Sequence, residues 1–147
     1  MILPGEEDTL AAGRKLAGVL RAGDVVTLEG DLGAGKSTFA RGVLHGLGYA
    51  GDVPSPTFAL VIPYDPPAVS LPVWHVDLYR LEDPREADAL ALEEGLDGGA
   101  LLIEWPQRLG HQWHDRALRL ALTAEPNGGR RLTVSVPRSW EGRCPFQ

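Results

Sequence analysis

Gly30-Asp31-Leu32-Gly33-Ala34-Gly35-Lys36-Ser37 decides how the rest of the chain is read. The octet fits G-x-x-x-x-G-K-[ST], the phosphate-binding P-loop, a pattern that carries meaning only between a strand and a helix. Val25-Val26-Thr27-Leu28-Glu29 precedes it, β-branched and apolar as a buried strand requires. Ser37 to Leu44 follows with helical character, and Leu47-Gly48 closes that helix. Glycines at 30, 33 and 35 permit a tight turn and put no Cβ between the backbone N–H groups and an anion. With the helix N-terminus those N–H groups make a cationic nest. Lys36 is the point charge for the β- and γ-phosphates, and the Ser37 hydroxyl is a ligand for Mg²⁺.

The 147 residues predict one domain, 1–147, with 139–147 as a flexible tail. At this length folding buries about 68–70% of the unfolded chain's surface, and 44% hydrophobic content supplies a real core. The net charge of −6 argues against a protein that grips nucleic acid by itself, since such affinity comes largely from Lys/Arg contacts with phosphate. A local basic patch, Arg130, Arg131, Arg138 and Arg143, is the exception. A single cysteine, Cys144, cannot form an internal disulfide and suits a reducing compartment. With no signal peptide and no run of 18 apolar residues, the expectation is a soluble cytoplasmic protein without membrane partners. No stable homo-oligomer is expected.

Outward from the loop, Met1 to Glu7 reads as an extended lead-in. Asp8 or Thr9 caps a helix over Leu10 to Arg21 that Gly23 ends. Ser55-Pro56-Thr57-Phe58 leads into an apolar strand ending at Ile62, with Val73 to Leu78 as its neighbour. Pro63 to Pro72 is the connection, because its prolines cannot donate to a ladder. Arg85 to Leu96 reads as a helix with Pro84 in its first turn. Ala100-Leu101-Leu102-Ile103 is a short buried strand ending at Glu104. Leu118, Leu120 and Leu122 alternate, as do Leu132, Val134 and Val136, with Asn127-Gly128-Gly129 as the turn between. The fold class predicted is α/β of P-loop NTPase type: a parallel central sheet flanked by antiparallel strands, in three layers.

A P-loop hydrolase needs a further carboxylate at a buried strand end, for the metal shell and the attacking water. Asp77, after Val73-Trp74-His75-Val76, and Glu104 are the two candidates, where the bland alternative is a carboxylate capping neighbouring backbone. With Lys36 they form the candidate catalytic set. Thr57 stands where a switch threonine adds a hydroxyl to Mg²⁺, or simply where prolines fix a turn. His75 reads as a packing or hydrogen-bonding histidine. His111 and His114 lack the Cys or acid that would complete a tetrahedral metal site and read as a surface loop. Trp105 is core, a shield of the site, or a reporter of nucleotide.

Taken together, Gly30 to Thr38, Ser55-Pro56-Thr57-Phe58, His75-Val76-Asp77-Leu78-Tyr79-Arg80 and Ile103-Glu104-Trp105-Pro106 resemble the TsaE (YjeE) family over about Glu6 to Val136. These are small bacterial P-loop ATPases of the machinery that makes threonylcarbamoyladenosine in tRNA. The resemblance implies ATP and Mg²⁺ as cofactors, with Ser37 and Glu104 on the metal and Asp77 needed for hydrolysis. It also implies a phosphate-binding set of Leu32, Gly33, Ala34, Gly35, Lys36, Ser37 and Thr38, a base site lined near Glu6, and an approach to the nucleotide by Gln107 and Arg130. A TsaB–TsaD complex is the implied partner, with tRNA reached only through that partner. Ser37 departs from the threonine many relatives carry, and either hydroxyl serves. Two rivals stand beside this reading: a small-molecule or nucleoside kinase, though no long arginine-rich lid insertion is present, and a nucleotide-gated binding module with little hydrolysis. A GTPase is disfavoured because no Asn-Lys-x-Asp run occurs.

Overall fold

The computed structural model describes residues 1–57 and 59–146. Phe58, through which the strand after Thr57 was expected to begin, lies outside the described residues, as do Gln147 and the side chain of His111. In chain order the elements are β1 (Ile2–Leu3), α1 (Glu6–Ala17), β2 (Val25–Glu29), α2 (Lys36–Gly46), β3 (Val61–Tyr64), β4 (Val73–Asp77), α3 (Pro84–Asp88), β5 (Ala100–Glu104), α4 (His111–His114), β6 (Leu118–Ala124) and β7 (Arg130–Ser135). Short 3₁₀ turns cover Leu92–Leu96, Pro106–Arg108 and Arg138–Trp140.

The described strands form one seven-stranded sheet in the order β1-β7-β6-β2-β5-β4-β3. Its middle, β6-β2-β5-β4, is parallel. Antiparallel β3 borders one side, and antiparallel β7 and β1 the other. Side chains on a strand alternate between faces, and both faces of the parallel strands are apolar. Val26 and Leu28 of β2 and Ala100 and Leu102 of β5 pack with Leu16, Phe39, Val43 and Leu44 of α1 and α2. Val25, Leu101 and Ile103 pack on the other side with Leu81, Ala87, Leu109 and Trp113. This is the predicted layered α/β arrangement, with a parallel core and antiparallel margins. α1 and α2 pack closely enough that a Cβ on Gly13 would lie 2.4 Å from the Phe39 carbonyl oxygen.

Several boundaries differ from the sequence reading. α1 starts at Glu6 rather than after Asp8 or Thr9, because Asp8 reaches back to accept the Gly5 N–H at 2.9 Å. Glu6, Glu7 and Asp8 then occupy the first turn, where the helix dipole favours negative charge. The lead-in forms β1, pairing Ile2 with Arg131. β3 includes Pro63, which was assigned to the connection; β3 has β4 alone as a partner, and a border strand tolerates a missing donor. The helix expected over Arg85 to Leu96 is broken at Ala91, whose φ is +51°, so that Leu92 turns into the core.

The expected flexible tail is the largest correction. Trp140 is fully buried, and the Phe146 ring lies 6.2 Å from that of Phe39 on α2. Arg143 donates to both carboxylate oxygens of buried Asp24, at 2.6 and 2.9 Å, and to the Val19 carbonyl oxygen at 2.8 Å. Its guanidinium lies 3.8 Å from the centre of the Trp140 ring. No periodicity in the sequence announces these contacts, since their partners lie more than 100 residues away, as with Arg143 and Asp24 at a separation of 119. Trp140→Ala is expected to cost about 3–5 kcal/mol of stability. Arg143→Ala, which strands the Asp24 carboxylate, should cost a comparable amount, on the order of 3–5 kcal/mol. Chemical denaturation checks both; an unchanged midpoint in either variant would mean the tail does not hold the core.

Candidate functional site

β2 delivers the chain to residues 30–35 at the carboxyl end of the parallel strands, where open α/β sheets bind ligands. Gly30, Gly33 and Gly35 have φ of +151°, +81° and +105°, conformations that side chains rarely adopt. The loop then enters α2, whose N-cap is Gly35 and whose first residues are Lys36, Ser37 and Thr38.

The two acids arrive through strand register. Asp77 of β4 and Glu104 of β5 are direct partners across the parallel ladder, and Leu28 of β2 pairs with Glu104 on its other side. Because alternate residues share a face, His75, Asp77, Leu102 and Glu104 all lie on the α2 side of the sheet. Both carboxylates are 3% exposed, and each is held. Asp77 Oδ1 accepts the Tyr79 N–H at 2.8 Å, and Oδ2 accepts the Thr57 hydroxyl at 3.1 Å. A threonine has one O–H to give, so the 2.7 Å contact between Ser55 and Thr57 has Ser55 as donor, making a relay from Ser55 through Thr57 to Asp77. Glu104 Oε2 accepts from His75 Nε2 at 2.6 Å.

Lys36 is buried with them. Its ammonium donates to the carbonyl oxygens of Gly30 and Asp31 and stands 3.9 Å from the centre of the Trp105 ring. Burial pushes the Lys36 pKa below the ordinary lysine value, while Glu104, Asp77 and Asp31, in that order, pull it back up. Trp105 reaches this position from a left-handed backbone, φ +58°, which costs a non-glycine residue about 1–3 kcal/mol and is found where function over-determines geometry. Its ring lies against Tyr79 at 4.6 Å. Of the three roles read for Trp105, screening the lysine matches the geometry.

Leu32, Gly33, Gly35, Lys36, Ser37, Thr38, Thr57, Asp77, Glu104 and Arg130 line one cleft of about 300 Å³, together with Ser55, Tyr79 and Trp105. A second cleft of about 280 Å³ adjoins it, with Gly35, Thr38 and Arg130 common to both and Glu6 on its wall. Glu6 pairs there with Arg41 at 2.8 Å. Arg130 reaches over from the β6–β7 hairpin to donate to the Gly33 carbonyl oxygen at 3.0 Å. Ala34 is buried beneath the loop rather than lining the cleft. Gln107 is exposed on the 3₁₀ turn after Trp105 and is not among the residues lining these two clefts. Ser55 and Tyr79 were missed as lining residues, although both sit inside the motifs that carried the resemblance.

The donor set suits a hard cation. Ser37, Thr57, Asp77 and Glu104 offer oxygen only, and no group of three or more His, Cys, Asp or Glu able to hold a metal occurs among the described residues. Mg²⁺ is commonly bound in that manner, through one or two carboxylates with waters and substrate phosphates completing its shell.

Fold and loop together define a P-loop protein of the nucleotide-binding kind. A solved crystal structure of Bacillus subtilis YdiB superimposes with a TM-score of 0.71 at 32% identity, covering 88% of this chain and 79% of that one. The family model described as threonylcarbamoyl adenosine biosynthesis protein TsaE matches residues 3–132, and the chain belongs to the TsaE family. It is 38% identical to the tRNA threonylcarbamoyladenosine biosynthesis protein TsaE of Bacillus subtilis over 140 residues, 94% of this chain and 86% of the relative. The TsaE of a Nostoc species is likewise 38% identical, over 92% of this chain and 84% of its own.

A Cβ placed on Gly30 would lie 2.5 Å from the Leu122 carbonyl oxygen, whereas one on Gly33 would meet nothing within 4 Å. Gly33→Ala is therefore expected to cost only the left-handed penalty, about 1–2 kcal/mol. Gly30→Ala should cost clearly more, because the loop must also move off β6. Thermal denaturation of the two variants tests this; equal losses would mean the loop does not lean on β6.

Proposed function

We propose that this chain is a Mg²⁺-dependent ATPase of tRNA threonylcarbamoyladenosine biosynthesis, acting as one cytoplasmic domain with a TsaB–TsaD complex to sustain its turnover. The observation that carries the reading is the pairing of Asp77 with Glu104 at adjacent strand ends, on the face that also bears the loop and Lys36. Membership of the TsaE family supplies the biological setting. Described residues include no helix long and apolar enough to cross a membrane.

In this reading the backbone from Leu32 to Ser37 receives the triphosphate, and Lys36 offers it an N–H beyond the two directed at Gly30 and Asp31. Thr38, Arg130 and Glu6 lie along the way to the second cleft, which suits the nucleoside end. Ser37 and Glu104 would hold Mg²⁺, and Thr57, which lines the same cleft, could add its hydroxyl oxygen. The bound ion supplies positive charge to the β- and γ-phosphate oxygens. Asp77, fixed by Tyr79 and Thr57, would order the attacking water and take its proton as the water oxygen bonds to the γ-phosphorus and the bond to the ADP oxygen breaks. Trp105 keeps bulk water from the lysine, so the electrostatic interactions act in a low-dielectric site. An overall charge of −6 suits a protein that leaves most tRNA contact to its partner.

Asp77→Asn and Glu104→Gln should each retain ATP binding while lowering phosphate release by about 100-fold or more. Both are near-isosteric, so loss of fold is a small concern and is checked by thermal denaturation. Hydrolysis at the parental rate in both variants would remove the roles given to Asp77 and Glu104, and a parent protein that binds ATP without releasing phosphate would remove the ATPase reading. ADP formation that requires an added acceptor, with the γ-phosphoryl group recovered on that acceptor rather than as free phosphate, would make the protein a kinase instead. Mixing the purified chain with TsaB–TsaD should give an ATP-dependent complex by size-exclusion chromatography, and no complex with ATP present would remove the partnership.

A further inference from the structure

We propose that His75 is a positioning residue for Glu104, holding one carboxylate oxygen so that the other is presented to the cation. The inference rests on the Mg²⁺ reading of the cleft. Strand geometry brings the two side chains together. His75 stands opposite Leu102 in the β4–β5 ladder and Asp77 stands opposite Glu104, so His75 meets Glu104 on the diagonal of the same face. Such diagonal pairs lie within reach of long side chains. The contact is 2.6 Å from Nε2 to Oε2, and the two side chains are 2% and 4% exposed.

An ionised carboxylate only accepts, so the proton lies on Nε2. Among the described residues His75 Nδ1 is buried without a hydrogen-bond partner, and Glu104 is the side chain that His75 engages through its ring nitrogens. The terminal torsion of a glutamate is broad when nothing restrains it. Here Oε2 is held by His75, which leaves Oε1 as the oxygen for a cation in the cleft that Glu104 lines. His75 does not line the cleft, whereas Glu104 does. Any effect of His75 on metal must therefore travel through Glu104. Partners of this kind behind a metal ligand set its orientation, and their loss typically weakens metal binding about 10–100-fold.

The test uses Mn²⁺ as the probe, with a non-hydrolysable ATP analogue and the full chain, and reads free Mn²⁺ by electron paramagnetic resonance. His75→Leu should weaken Mn²⁺ binding by about 10–100-fold, while analogue affinity in EDTA stays within about twofold of the parent. His75→Gln, whose amide nitrogen reaches the Nε2 position, should recover most of the loss. His75→Asn, which reaches only as far as Nδ1, should not. In a Glu104→Gln background His75→Leu should cause no further loss. Parental Mn²⁺ affinity in His75→Leu overturns the proposal, and so does an equal loss with and without Glu104, which would make His75 a packing residue. If His75→Leu does not fold, the Gln and Asn variants decide, and equal affinities in those two overturn it. Failure of the underlying metal site looks different: the parent complex itself would then hold no more Mn²⁺ than the free analogue.

Discussion

Lys36 is an ammonium ion taken almost wholly out of water, and two of the acids that act on it, Glu104 and Asp77, are buried as well. A lone buried charge costs far more than a fold of this size can spare, and it persists only when opposite charge and hydrogen bonds accompany it. The carbonyl oxygens of Gly30 and Asp31, the Trp105 ring and the two carboxylates supply that company. Everything else about the cleft follows from having to bring those groups, from three strands and a loop, to one place.

The parallel register does most of that. Three adjacent strands run in one direction, so their carboxyl ends, carrying Glu29, Asp77 and Glu104, finish at the same edge of the sheet. A shift of one residue in β4 would turn Asp77 to the opposite face, among Leu101 and Ile103 of β5. The apolar residues on both faces therefore fix the chemistry as well as the fold: Val73 must meet the α2 side and Val76 the other, and Asp77 has no freedom left. The hairpin adds Arg130, which ties β7 to the loop through the Gly33 carbonyl oxygen.

Packing behind the loop is as specific. α2 carries Lys36 at its start and Phe39 three residues later. Phe39 meets Phe146 from the end of the chain, and Arg143 closes the same segment onto Asp24 just before β2. The C-terminal segment thus braces both the strand and the helix that border the loop. It lies beyond the residues matched by the family model, which end at 132.

Local order was legible wherever a pattern repeats within a few residues. The loop glycines, the apolar runs of β2 and β5, the alternation in β6 and β7, and the acids that end β4 and β5 all declare themselves that way, and together they specified a P-loop α/β fold. Whatever depends on distant partners was not legible. Pro63 sits in a strand because β3 happens to border the sheet, and Trp105 comes to stand over Lys36 from a left-handed backbone that no local pattern announces. The apparent tail is core because Asp24 and Phe39 lie ready to receive Arg143 and Phe146. The sequence by itself determined which chemical groups this protein owns and which strand ends carry them. Only tertiary structure decided which of those groups meet, because register, face and long-range packing are set by the whole apolar core and not by any stretch of it.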